Sequence, residues 1–494
     1  MRGARLSTIS RSSGSTPDAD DRPASDRTSS GDELKLLAIG DVHLGTRPTS
    51  LPEDLEDWGV DPRALTPEAA LRTTVDRAID ERVDAVLFAG DVVESTNARF
   101  EALRPLENAV RRFGEAGIPV LAVVGNHDVE ALPRLAQRME GLELLGERGR
   151  WQTRIVERGA AAVEILGWSF PDKSVRESPL VSLLRDPVPP ARPGLPRIGL
   201  MHADLDASGG HYAPIKREEL RASGADAWLL GHIHKPSLGE SMSTSMSASA
   251  STASSESMPH GYLGSLVGLD PSETGCHGPW LVGVAASGRV SASQLPIAPL
   301  RWDRFDLRVG EDEGFEDLAD RLLSEAERFA RSIQDQGCFP RVLGLRPRLV
   351  GATRHFDALR KKIEGNDWRG RLNCSAGDTI VFIDRVDQAL DLAFDLDELA
   401  QGDDPPAVLA RRLLDLARED DRRNRLIEST RRSLERFAED PVWSPLRNRR
   451  DAPDPLDDDA IVDLLRRAGT DALSRLLHQR DQRNERERRS GAES

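Results

Sequence analysis

Five short polar motifs, each placed where an apolar run stops, constrain this chain more than any other feature of its sequence. They are Gly40-Asp41-Val42-His43, Gly90-Asp91, Gly125-Asn126-His127-Asp128, Met201-His202-Ala203-Asp204 and Gly231-His232-Ile233-His234. The apolar runs are Leu36–Ile39, Ala85–Ala89, Val120–Val124, Val163–Leu166, Ile198–Met201 and Ala227–Leu230. Short, nearly continuous runs of this kind read as strands buried on both faces. Helical patterns lie between them. Thr66 is placed to cap a helix that Pro67 opens, with Leu71, Val75, Ala78 and Ile79 on one face. Leu103, Leu106, Val110 and Phe113 repeat at helical spacing further on. Strand–helix–strand alternation predicts an α/β layered domain. Ligands of open α/β sheets bind at the carboxyl ends of the strands, so all five motifs can meet in one crevice.

The side chains these motifs supply are carboxylate, amide and imidazole, with no thiolate. That mixture suits Mn²⁺, Fe²⁺ or Zn²⁺ rather than Ca²⁺. The two-residue spacing of Asp41 and His43, and of His232 and His234, lets both members reach one site from an extended or turning segment. Asp91 can bridge two metals through its two oxygens. Two ions about 4 Å apart bind an attacking hydroxide and a phosphoryl oxygen together. They also lower the pKa of the bridging water. His127 directly follows Asn126. It is placed to protonate a leaving alkoxide or to bind the pentavalent transition state. Asp128 is expected to orient His127, as carboxylates behind catalytic histidines do. Singly, each motif has an ordinary reading: Gly-Asp after a strand is a turn, Asn126 can make an Asx turn, and a lone His202 is a buried core histidine. Together, in this order and at strand ends, they specify a two-metal site.

The remaining sequence sets the frame. The chain has 494 residues, 38% hydrophobic and 30% charged, which is ordinary for a globular protein of several domains. No apolar run approaches the ~20 residues of a membrane helix. The N-terminus is polar and has no apolar signal core, so residues 1–34 read as a disordered tail and a cytoplasmic location is expected. Residues 35–299 form the expected α/β domain, with a Ser-rich insertion at 241–257 and further strands at Gly261–Val267 and Trp280–Val284. Residues 300–400 read as a small α+β domain: strands at Phe305–Val309, Arg341–Val350 and Thr379–Ile383, and helices around Phe315–Ile333 and Phe356–Ile363. Residues 401–494 read as helical. There, Ile461, Leu464, Leu465, Leu473, Leu476 and Leu477 form an apolar face that either docks a partner or closes the chain's own core. Cys276, Cys338 and Cys374 form no CxxC pair and read as inert core thiols. The net charge of −16 argues against a broad basic surface that coats nucleic acid. It leaves a nuclease open, since metals and a partner can supply positive charge.

The motif order DxH…GD…GNHD…H…GHxH resembles that of the calcineurin-like metallophosphoesterases. The resemblance implies one metal held by Asp41, His43, Asp91 and His234, and a second held by Asp91, Asn126, His202 and His232. It gives His127 the acid or transition-state role. Within that superfamily the chain is most similar to bacterial DNA repair exonucleases of the SbcD and YhaO type. The residues that carry this are Gly40-Asp41-Val42-His43-Leu44-Gly45, Gly231-His232-Ile233-His234-Lys235-Pro236 and Tyr262-Leu263-Gly264-Ser265-Leu266. The segments Gly268–Gly275 and Gly278–Val282 extend the match. The α+β unit fits the family's capping domain by position and pattern. The C-terminal helices resemble the segment with which such nucleases grip the coiled-coil root of an SMC-like ATPase.

The implied fold is a layered metallophosphoesterase domain with a small α+β capping domain and a helical C-terminal region. The implied activity is Mn²⁺-dependent hydrolysis of DNA phosphodiesters, with two divalent ions as cofactors. DNA and an SMC-like repair ATPase are the implied partners, a homodimer is compatible, and no membrane association is expected. Val92-Val93-Glu94 stands where the double-strand-break group places an aromatic residue or His, and the Ser-rich insertion after Pro236 is atypical; both bear on substrate preference. Two other functions fit the same motifs. One is a phosphodiesterase or phosphatase acting on small molecules or phosphoproteins, which the acidic balance favours. The other is a structural DNA-repair scaffold, against which the intact ligand set argues.

Overall fold

The computed structural model describes residues 33–94, 99–207, 209–238, 258–365, 372–393, 395–418, 420–438 and 457–492. The Ser-rich insertion and the tail through residue 32 lie outside the described residues. Residues 33 and 34, assigned above to the tail, open the first strand.

The strands of the first unit are β1 (Glu33–Ile39), β2 (Ala85–Phe88), β3 (Val120–Ala122), β4 (Leu142–Leu144), β5 (Trp151–Arg158), β6 (Ala161–Trp168) and β7 (Arg197–His202). They continue with β8 (Asp204–Leu205), β9 (Pro214–Ile215), β10 (Ala227–Gly231), β11 (His260–Tyr262), β12 (Trp280–Ala285) and β13 (Val290–Gln294). Two large sheets result, ordered β13-β12-β1-β2-β3-β4 and β11-β10-β7-β6-β5, while β8 and β9 pair with each other in a separate small sheet. β1 to β4 run parallel, as do β6, β7, β10 and β11; β12, β13 and β5 join their sheets antiparallel.

The period of two along a strand explains how the sheets stack. Leu34, Leu36 and Ala38 of β1 pack with Val163, Ile165, Ile198, Leu200 and Leu229 of the other sheet. Leu37 and Ile39 point the opposite way, onto Leu71, Val75, Leu106 and Phe113 of α1 (Pro67–Glu81) and α2 (Arg99–Glu115). With both faces of the strand covered, its sequence has to be continuously apolar. Each fully buried Leu or Ile contributes roughly 1.5–3 kcal/mol by its removal from water. α1 starts as expected: the Thr66 side chain accepts the Ala69 N–H and Pro67 fills the first turn.

Two strands end earlier than their apolar patterns. The expected strand at 261–267 stops at Tyr262, because the next backbone N–H groups are taken by the motif loops. Ser265 N–H donates to the His234 carbonyl at 2.9 Å and Leu266 N–H to the Asp41 carbonyl at 3.0 Å. The expected strand 341–350 is two strands, Val342–Leu345 and Arg348–Thr353, in different sheets. Pro347 separates them, since it has no N–H to continue a ladder.

Beyond Pro299, a four-stranded sheet (Leu300–Asp303, Val342–Leu345, Thr379–Ile383, Asn373–Ala376) and a three-stranded sheet (Asp306–Arg308, Arg348–Thr353, Asp387–Leu392) form the second unit. The helix Phe315–Asp335 buries Leu318, Leu322, Ala326, Ala330 and Ile333 against Leu343, Leu345, Val381 and Ile383. The packing does not divide at residue 299. Leu300, Trp302, Val342 and Phe382 belong to the core of the first unit, and the Trp302 and Phe382 rings lie 5.5 Å apart.

The C-terminal helices are Pro405–Ala417, Asp421–Ala438 and Asp458–Ala492. Of the apolar face considered for docking, Ile461 and Leu473 are fully buried. Leu473 packs on Leu413 and Leu416, and Ile461 packs on Ile427. That face closes the chain's own core, while Leu464 is exposed. Among the described residues, no helix is long and apolar enough to cross a membrane.

Candidate metal centre

The five motifs converge. Asp41 and His43 follow β1, Asp91 follows β2, Asn126 and His127 follow β3, His202 ends β7, and His232 and His234 follow β10. Backbone hydrogen bonds lock the loops together. Val42 and His43 N–H donate to the Asp91 carbonyl at 3.1 and 2.9 Å. His232 N–H donates to the Asp41 carboxylate at 2.9 Å, and His127 N–H donates to Asp91 Oδ1 at 2.9 Å.

The loops are held in backbone conformations that cost energy. His43, Asp91 and His232 have φ values of 51°, 48° and 106°. Left-handed backbone at a non-glycine residue costs about 1–3 kcal/mol, and such strain persists where surrounding contacts over-determine it. Gly125 is required by proximity, because a Cβ there would lie 2.1 Å from Asp91 Oδ1.

Two donor pairs decide the chemistry. His43 Nδ1 lies 3.1 Å from Glu94 Oε2, and His234 Nδ1 lies 2.7 Å from Glu273 Oε1. An imidazole that gives its Nδ1 proton to a carboxylate carries a lone pair on Nε2. Yet His43 Nε2 and His234 Nε2 face each other at 3.0 Å. His202 repeats the pattern: Nδ1 lies 3.1 Å from the Ala89 carbonyl, while Nε2 faces Asn126 Oδ1, an acceptor, at 2.9 Å. Two lone pairs directed at each other need a cation between them. Asp41 closes on the first pair, and Asp91 and Asp41 close on His202, so donor atoms of Asp41, His43 and His234, and of Asp41, Asp91 and His202, gather within 4.8 Å. Asp91 Oδ2 lies 3.3 Å from His202 Nε2 and 3.9 Å from His43 Nε2, between the two groups. The donor set therefore fits divalent cations, with Asp41 common to the two groups and Asp91 between them.

The calcineurin-like phosphoesterase family matches residues 34–236, which hold every one of these motifs. This part of the chain is a calcineurin-like metallophosphoesterase domain. The uncharacterized metallophosphoesterase YhaO of Bacillus subtilis is 31% identical over 172 residues, covering 34% of this chain and 40% of that protein. The DNA double-strand break repair protein Mre11 of Aeropyrum pernix is 28% identical over 211 residues, 41% of this chain and 49% of its own. The Mre11 protein of Methanosarcina mazei is 28% identical over 235 residues, 47% of this chain and 36% of its own. The match spans less than half the length of each of these relatives.

Charge in the metallophosphoesterase centre is balanced among its own groups. Burial acts to raise the Asp91 carboxyl, but the adjacent His202 imidazole, by charge and by hydrogen bond, holds it well below the usual range. Burial acts to lower His202, and the Asp91 carboxylate overrides it, pushing the imidazole up to about 9. His232 is pushed down to about 4 by burial and by the neighbouring His202, which leaves it a neutral donor. Its ring contacts His202 and Tyr212 at centroid distances of 5.2 Å each.

One expected role is corrected. Asp128 does not hold the His127 ring. It is fully buried, and its two oxygens accept the Val92 N–H at 2.7 Å and the Gly125 N–H at 2.8 Å, tying two ligand loops together. Burial, and then the charge of Asp91, push its carboxyl up to about 7. The residue that meets the His127 Nδ1 is Glu94, at 3.0 Å, and the same carboxylate reaches His43. Sequence reasoning assigned no role to Glu94 or Glu273. Glu94 lies three residues past Asp91, and only the fold shows it bridging two histidines. Glu273 lies in a loop 39 residues from His234. Ser265 Oγ at 3.1 Å and Leu269 N–H at 2.8 Å hold its second oxygen.

Proposed function

We propose that this chain is a two-metal phosphodiesterase acting on DNA ends, an exonuclease subunit that works with an SMC-like repair ATPase and uses Mn²⁺. The observation that carries the metal reading is the pair of facing acceptors, His43 Nε2 with His234 Nε2 and His202 Nε2 with Asn126 Oδ1. Asp41, His43, Asp91 and His234 would hold one ion, and Asp91, Asn126, His202 and His232 the other. When bound, such ions lower the pKa of a water and take up charge on the phosphoryl oxygens.

The chain's own residues supply the rest. Glu94 fixes the His127 ring through Nδ1. As an imidazolium the ring has its Nε2–H left to donate to the departing oxygen, or to hydrogen-bond the charge that builds on the phosphoryl group. His127 is 42% exposed at the side chain, the most accessible of the histidines with a carboxylate partner in the centre, as a group that must meet substrate has to be. Glu273 and Glu94 hold His234 and His43 in the orientation and tautomer that ligation needs.

DNA is favoured as substrate by the motifs shared with repair exonucleases and by the Mre11 relatives, whose name states DNA double-strand break repair. The acidic balance of the chain is compatible with this if the ATPase grips the DNA backbone, since affinity for DNA is set mainly by phosphate contacts. The same acidity favours the competing reading, a small-molecule diesterase.

One assay separates the two. Purified protein is offered end-labelled linear duplex, hairpin DNA and bis-p-nitrophenyl phosphate, with Mn²⁺ and with EDTA. The proposal expects Mn²⁺-dependent release of nucleotides from DNA ends together with aryl diester hydrolysis, both abolished by EDTA. Hydrolysis of the aryl diester alone, with DNA intact even when the ATPase is added, would favour the small-molecule reading. No hydrolysis of either substrate at saturating Mn²⁺ would favour the scaffold.

A further inference from the structure

The carboxylate behind His234 sits at the end of a loop, residues 265–273, whose start is bonded to the ligand loops themselves. Ser265 N–H donates to the His234 carbonyl at 2.9 Å, and Leu266 N–H donates to the Asp41 carbonyl at 3.0 Å. At the other end, Glu273 Oε1 lies 2.7 Å from His234 Nδ1. The aim of that carboxylate therefore depends on how the two ends of the loop are held together.

His277 holds them. It lies four residues beyond Glu273 and is 1% exposed, too deep to meet substrate. Its Nδ1 is 3.1 Å from the Ser265 carbonyl oxygen and 3.0 Å from Ser265 Oγ, and its Nε2 is 3.1 Å from the Glu273 carbonyl oxygen. Ser265 Oγ lies in turn 3.1 Å from Glu273 Oε2. Burial holds the ring below its usual range, so one nitrogen carries the proton at neutral pH. With the proton on Nε2, the ring donates to the Glu273 carbonyl and Nδ1 accepts from the Ser265 hydroxyl. With the proton on Nδ1, the ring donates to Ser265, and the hydroxyl is left to donate to Glu273 Oε2. Either tautomer joins residue 265 to residue 273. A histidine that only fills a core takes its partners wherever they fall; this one takes both from the ends of one loop.

The ring is anchored from outside that loop. Gly275 N–H donates to the Trp302 carbonyl at 2.9 Å, and Gln294 Nε2 donates to the Cys276 carbonyl at 3.2 Å. On the far side, a Cβ on Gly278 would lie 2.1 Å from the Leu295 carbonyl oxygen, so the chain is closely packed there as well. Trp302 Nε1 also donates to the Gly268 carbonyl at 3.2 Å, which pins the middle of the loop.

We infer that His277 is a positioning residue for the metal centre: it closes the 265–273 loop so that Glu273 meets His234 Nδ1, and thereby sets the affinity of the ion that His234 holds. The inference rests on the two-metal reading of the centre. His202 takes its Nδ1 partner from the Ala89 carbonyl instead, so the ion on that side should be little affected.

The test titrates the full chain, stripped with EDTA, with Mn²⁺, and counts free ion by electron paramagnetic resonance. In His277→Ala, one of the two Mn²⁺ equivalents should weaken by about 10-fold, the usual cost of losing a group behind a ligand, while the other is nearly unchanged. Glu273→Gln should weaken the same equivalent. Adding His277→Ala to Glu273→Gln should then cost nothing more, because the ring acts through that carboxylate. His277→Gln, whose amide offers one donor and one acceptor, should recover part of the affinity. Ser265→Ala should lose affinity at the same equivalent, and with His277→Gln it decides the matter if His277→Ala does not fold. Equal weakening of both ions, or a full loss that persists in the Glu273→Gln background, would mean general loosening and would overturn the inference. Wild-type chain that takes up no Mn²⁺ would remove the metal centre and the inference with it. Uptake by every variant as tight as by the wild type would remove the inference alone.

Discussion

At the scale of single residues, the metal centre depends as much on the groups behind the histidines as on the histidines. His127→Ala should retain both metals and lose ~10²-fold or more in kcat on an aryl diester, the usual cost of removing a general acid or charge stabiliser. Glu94→Gln should lower kcat by about 10–100-fold, because it loosens both His127 and His43. The two substitutions share one interaction, so the double variant should fall well short of the product of the single effects. Elemental analysis beside the kinetics decides the assignment: a metal site emptied by His127→Ala would make His127 a ligand. Glu273→Gln is expected to behave differently. It removes only the partner of His234 Nδ1, so apparent metal affinity should fall about 10–100-fold while kcat at saturating metal recovers. A kcat that stays low at every metal concentration would exclude that role.

At the scale of elements, the strand-end loops work because their backbones approach one another too closely for ordinary side chains. Gly125→Ala puts a methyl group 2.1 Å from Asp91 Oδ1 and 2.7 Å from Asp91 N, in a segment that Asp128 clamps from behind. The Asp91 carboxylate must move, so bound metal per chain should fall while the circular dichroism spectrum stays unchanged. Gly114→Ala, at the end of α2, meets nothing within 4 Å. It should leave metal content intact and raise stability by about 0.4–1 kcal/mol through the unfolded chain. Equal metal loss in both variants would show that the effect comes from glycine replacement in general rather than from the approach to Asp91.

For the whole molecule, the expected division into units is weaker in packing than in sequence. Trp302 and Phe382 lie in the core of the first unit, and Arg341 Nη2 donates to the Gly59 carbonyl at 3.3 Å. A fragment ending at residue 299 should therefore be less stable than the full chain, and the intact protein should melt through both units together. Separate transitions for them would contradict the shared core. The helix Asp458–Ala492 is held in the same way. Leu473→Ala should cost about 2–5 kcal/mol of local stability. Removal of residues 458–492 uncovers Leu413, Leu416 and Ile427, and should lead to aggregation or melting of the two preceding helices. A truncated chain that stays soluble with those helices intact would return the face to the role of a docking surface.

The sequence by itself determined the layered α/β architecture and named the strand-end side chains that the fold brings into one crevice. Asp41, His43, Asp91, Asn126, His202, His232 and His234 are legible because a side chain's donor chemistry and its place at a strand end are local properties. The strands are legible because burial on both faces leaves a continuous apolar run. The partners Glu94 and Glu273 were not legible: a carboxylate in a loop looks the same whether it faces water or a histidine from another strand. The same holds for Asp128, whose expected partner was its neighbour in sequence and whose actual partners are the backbones of two ligand loops. The break at Pro347 between two sheets and the buried face of the last helix were likewise decided by tertiary structure. Each depends on which segments meet, and contacts between segments far apart in the chain leave no periodicity to read.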